Sequence, residues 1–135
     1  MLLRIINHFQ PRWLLIAGTA YVVLLLLSHW QLPEAHVWAI AGVFSVIMNV
    51  PYVATAWHNA QFARLETAIA TVLIGASIVG AVITPPFVIA AIFAHGFWDI
   101  AKHRGAGVPF FSWYTLGCAV VDFAYGSALL VYYLS

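Results

Sequence analysis

Five stretches of almost unbroken apolar residues run along the chain, at about 13–30, 36–57, 67–84, 86–102 and 110–134, separated by short polar or Pro/Gly-bearing breaks. Each is close to the roughly 20 residues that, at about 1.5 Å per residue, carry a helix across a hydrocarbon core about 30 Å thick. The breaks hold turn chemistry: QLPEA at 31–35, the pair Pro85-Pro86, and GAGVP at 105–109. Pro86 suits the first turn of the fourth helix, where its missing N–H would have had no partner. The pattern predicts an all-α fold: one domain over residues 1–135, built as a bundle of five transmembrane helices.

Composition strengthens that expectation. Of the 135 residues 64% are hydrophobic and only 7% charged, more apolar than a water-soluble core requires. The chain is expected to be a multi-pass membrane protein surrounded by lipid, in the cytoplasmic membrane if the source is bacterial. Its basic residues, Arg4, Arg12, Arg64, Lys102 and Arg104, all fall on one side of the five-span arrangement. The preference of cytoplasmic flanks for basic residues then puts the N-terminus in the cytoplasm and the C-terminus outside. The same five residues, scattered over separate breaks, form no phosphate-binding stripe, which sets nucleic acid aside as a partner. The first span is longer than a signal-peptide core and is followed by no small-residue cleavage site, so it is expected to remain as a span. Trp13, Trp30, Trp57, Tyr132 and Tyr133 mark span ends, where amphipathic rings favour the headgroup region. The lone Cys118 excludes an intrachain disulfide and reads as a small packing residue.

Against this apolar background the ionisable residues carry the chemistry. His95, Asp99 and His103 recur at four-residue spacing in the fourth span, which puts them along one helical face. Counted from the cytoplasmic end, His103 lies at the interface, Asp99 about 6 Å deeper and His95 about 12 Å deeper. Asn49 of the second span and Asp122 of the fifth reach comparable depths, about 13 Å and 18 Å. Stripes of Phe87, Ala91, His95, Asp99, His103 and of Tyr114, Cys118, Asp122, Gly126 pair polar with small residues, and both are expected to face the bundle interior. Near the surface His58, Asn59 and Glu66 join His103. Pro51, unable to donate to the carbonyl of Ile47, leaves a backbone acceptor free and predicts a kink in the second span beside this polar column. The third span, with Thr71, Gly75, Ser77 and Gly80, is a packing helix whose small residues also suit a homo-oligomer face.

His and carboxylate side chains are the ligand set for Zn, Fe or Mn, and an i, i+4 pair can place two ligands on one ion. One divalent ion would take His95 with Asp99, or Asp99 with His103, and draw further ligands from Asp122, His58 or Glu66. The alternative use of a carboxylate beside an imidazole is acid–base chemistry, with His95, Asp99, Asp122 and Asn49 as the reacting and supporting groups. Trp98, Trp113 and Tyr114 are expected to line the mouth of a polar cavity that opens to the cytoplasm between the second, fourth and fifth spans. Three functions follow. The first is a membrane-embedded enzyme, metal-dependent or acid–base, acting on a lipidic or apolar small molecule. The second is a transporter or channel subunit for protons, metal ions or a small solute, for which the outer half offers little beyond His29, Glu34 and His36. The third is an accessory protein whose buried polar groups only pair helices. The chain has no adjacent histidine pair of the kind that membrane desaturases carry, and no acid in its first span of the kind that small multidrug exporters carry.

Overall fold

The computed structural model describes residues 11–135, all of whose regular structure is helical. Six segments follow one another: α1 Pro11–Ser28, α2 Glu34–Met48, α3 Val50–His58, α4 Ala63–Val82, α5 Pro86–His103 and α6 Ser112–Leu134. α2 and α3 are one rod of 25 residues, Glu34–His58, interrupted at Asn49. The interruption has two local causes. Pro51 stands in the first turn of α3, and the Asn49 side chain donates 2.8 Å to the Ser45 carbonyl, competing with the backbone ladder. Among the described residues the helices therefore number five, the number of the apolar stretches, with ends within a few residues of those stretches.

Three of them, Glu34–His58, Ala63–Val82 and Ser112–Leu134, are long and apolar enough to cross a membrane, and Arg12–Ser28 is a shorter apolar helix. α5, which carries His95, Asp99, Lys102 and His103, is not among the three. Large apolar side chains point outward all along the molecule: Leu24, Val72, Val82, Ile83 and Val131 are each at least 66% exposed, an outer surface suited to hydrocarbon rather than water.

α5 packs most extensively against α6 and then α4, α4 packs against α2, and α1 packs against α6. The core lies where α1, α2, α5 and α6 converge, on Val22, Trp38, Phe44, Ile92, Tyr125 and Leu129 among others. Between α2 and α4 the bridge is polar: Ser77 Oγ donates 2.7 Å to Ser45 Oγ. Trp57 Nε1 donates to Thr67 Oγ1 at 3.0 Å and Glu66 pairs with Lys102, so the end of α3, the start of α4 and the end of α5 share one end of the bundle. His29 bonds Tyr125, and the Trp38 ring meets Tyr132, which gathers the end of α1, the start of α2 and the end of α6 at the other. Arg12, Arg64 and Arg104 stand exposed towards the first end; Arg4 lies outside the described residues.

Candidate functional site

The buried face of α5 is Val88, Ile92, His95, Asp99 and Lys102, a spacing that alternates four and three. A step of four residues overshoots a turn by about 40°, so two such steps leave the face they started on, while four then three comes back to within about 20°. Lys102 therefore occupies the position that uniform four-residue counting gives to His103, which is exposed. The same arithmetic operates on α6, whose buried face runs Thr115, Ala119, Asp122, Gly126 and Leu129. Tyr114 and Cys118 fall to its half-buried flank.

These two faces meet at Gly96. A Cβ there would lie 3.1 Å from Asp122 Cβ, so the bare backbone is what lets α6 come close enough to bring Asp122 beside His95. His95 Nδ1 sits 2.8 Å from Asp122 Oδ2 and 3.3 Å from Asp99 Oδ2. The three residues are 2%, 0% and 1% exposed. Each offers a ligand atom within 4.8 Å of the other two. His95 Nε2, Asp99 Oδ2 and Asp122 Oδ1 have no hydrogen-bond partner among the described residues, although a buried polar atom left unpaired is costly. Two carboxylates around one imidazole also leave negative charge that only a cation or an added proton can balance. The arrangement can hold a metal ion, or bind and release a proton.

Tyr52, from α3, covers the triad. Its ring stacks on His95 at 5.8 Å with 10° between the planes, and its hydroxyl donates to Asp99 Oδ1. Phe110 and Tyr114 meet its edges at 5.0 and 6.2 Å. Lys102 Nζ also lies over the Tyr52 ring, 4.4 Å from its centroid. That ammonium pairs with Glu66 Oε1 at 2.5 Å and donates 2.8 Å to the Val108 carbonyl. Glu66 also accepts from Val108 N–H at 2.9 Å and from Trp98 Nε1 at 3.2 Å. Gly107, at φ +64°, makes this clasp possible, since a Cβ there would stand 2.4 Å from Glu66 Oε1.

Sequence reasoning and geometry part company at several residues. His95, Asp99 and Asp122 come together. Asn49 is buried, but its amide is spent on its own helix. Glu66 stands outside the triad, and both its oxygens are engaged by Lys102, Trp98 and Val108. His58 and His103 are exposed at the end of the bundle, outside the cluster. Trp98 belongs to the Glu66 clasp. The triad is buried, with Tyr52 packed on it and Phe110 packed on Tyr52 in turn. Trp113 and Tyr114 line a different space, an apolar groove of about 310 Å³ between α1 and α6 that also touches Cys118. It abuts a second groove of about 460 Å³ between α1 and α2, the two sharing Tyr21 and Met48.

Three contributors escaped sequence reasoning. Tyr52 reads as one more aromatic, although its place just after Pro51 was a usable signal. Lys102 reads as a flanking charge until the four-three spacing is applied. Tyr125, fully buried, has its hydroxyl 2.6 Å from His29 Nε2, and no local pattern links residues so far apart in the chain. No protein-family model, no curated protein and no solved structure matches this chain.

Proposed function

We propose that the chain is an integral membrane protein of five spans, N-terminus cytoplasmic and C-terminus outside, and that its His95–Asp99–Asp122 triad holds one divalent metal ion in a membrane-embedded enzyme acting on a lipidic or apolar small molecule. One observation carries the reading: two buried carboxylates, each with one oxygen that has no hydrogen-bond partner among the described residues, flank a buried imidazole. A divalent ion there would neutralise both carboxylates and supply Lewis acidity. His95, Asp99 and Asp122 would hold it, Tyr52 and Phe110 would keep bulk water out, and Tyr114 with Cys118 would form the wall towards the apolar groove. Approach from the lipid side through that groove suits a sealed site better than approach from water does.

Metal analysis by mass spectrometry, on protein purified in mild detergent without chelator, tests the site. About one ion per chain, lost in folded His95→Ala and Asp122→Asn variants, is the expected result; wild-type protein without metal would remove the reading. A cysteine placed at 105, in a Cys118→Ser background, should react only from the cytoplasmic side, and reaction from outside would invert the orientation.

The His29–Tyr125 bond favours a second reading, transport of the ion or a small solute. Tyr125 follows Asp122 by three residues, about 4.5 Å along α6, and links the buried level to a crevice of about 280 Å³ beside His29 at the opposite end. Transport requires Tyr125→Phe to slow ion flux into proteoliposomes while metal content stays unchanged; the enzyme reading requires no flux at all.

A further inference from the structure

The triad is anchored by a neighbour that offers it no ligand. Tyr52 is 2% exposed and held by three sets of contacts: the His95 ring it stacks on, the Lys102 ammonium over its ring, and the steeply inclined rings of Phe110 and Tyr114. Lys102 is itself immobilised by Glu66 and the Val108 carbonyl. A phenol held in this way has one direction in which to donate, and it donates to Asp99 Oδ1. The other oxygen, Asp99 Oδ2, is left without a hydrogen bond and turned to His95 Nδ1. A carboxylate free to rotate would exchange its two oxygens; this one cannot do so without breaking the phenol bond.

We propose that Tyr52 is a positioning residue for the metal site: by occupying Asp99 Oδ1 it presents Asp99 Oδ2 as a single ligand oxygen, and the Glu66–Lys102 pair keeps Tyr52 in that pose. The inference rests on the metal reading of the triad. Hydrogen-bond partners of ligating carboxylates commonly govern metal affinity, by about 10–100-fold when removed.

The experiment is a cobalt titration of wild-type, Tyr52→Phe and Tyr133→Phe protein, followed by visible absorption. Tyr52→Phe keeps the stacked ring and removes one oxygen. It should bind cobalt about 10–100-fold more weakly, with altered band positions or intensities because Asp99 is free to change its mode of ligation. Tyr133→Phe, which removes an exposed hydroxyl at the opposite end of the bundle, should match wild type in both. A Tyr52→Phe spectrum and affinity equal to wild type would overturn the role of Tyr52 and leave the metal site standing. Wild-type protein without cobalt bands would overturn the metal reading, and this inference with it. If Tyr52→Phe does not fold, the infrared difference spectrum of wild type on cobalt addition decides: a tyrosine C–O band must accompany the carboxylate bands, and its absence overturns the proposal.

Discussion

α5 contributes to two buried ionisable clusters little more than a turn apart, and they are built on opposite principles. In the clasp, Glu66 accepts from Lys102, Trp98 and the Val108 N–H, and Lys102 also donates to a carbonyl; opposite charges cancel and neither oxygen is left over. In the triad, two carboxylates crowd one imidazole, and three polar atoms have no partner among the described residues. A cluster that satisfies itself holds a structure together. One that leaves buried atoms unsatisfied costs stability and keeps the capacity to bind a cation.

Substitutions that treat the two clusters alike should expose the difference. Lys102→Met strands a buried carboxylate and should destabilise the protein by about 3–5 kcal/mol, read as a fall in the temperature at which half-buried Cys118 becomes reactive to maleimide in detergent. Adding Glu66→Gln should recover most of that loss, and failure to recover would mean that the pair does more than balance charge. Asp99→Asn or Asp122→Asn should act the other way. The metal-free protein should gain about 1 kcal/mol or stay unchanged, because a buried carboxylate with an unpaired oxygen is removed, while metal content falls to background; a large destabilisation would place the triad with the clasp. Asn49→Ala, which deletes a single side-chain bond to the Ser45 carbonyl, should cost about 0.6 kcal/mol in the same assay. His58→Ala and His103→Ala should change stability by less than about 0.5 kcal/mol and leave the metal stoichiometry alone; a loss of metal in either would return them to the site.

The five helices of residues 11–135 and most of their ends were legible in the sequence because long apolar runs and the turn residues between them leave little freedom. His95, Asp99 and Asp122 were legible because ionisable residues are rare in so apolar a chain. His103 was misplaced for a geometric reason: a helix has 3.6 residues per turn, and a four-residue stripe drifts off the face it starts on. Lys102 gained the position that His103 lost, and Thr115 with Ala119 displaced Tyr114 with Cys118 by the same drift. Glu66 went wrong differently, since nothing local says that a carboxylate at the start of α4 will be claimed by an ammonium at the end of α5. Tyr52 and the His29–Tyr125 pair are set by which helices are neighbours, and a single chain read in order does not encode that directly.

α1 packs extensively on α6 alone among the described helices, and where they cross, a Cβ at Gly18 would stand 3.1 Å from a Val120 methyl. In the five-span reading this has a consequence for the order of assembly at the translocon. α1 leaves the ribosome before α2 to α5, yet its one firm neighbour is synthesised after all of them. Until then its sides rest against lipid, and the groove beside it exists only once α6 has arrived.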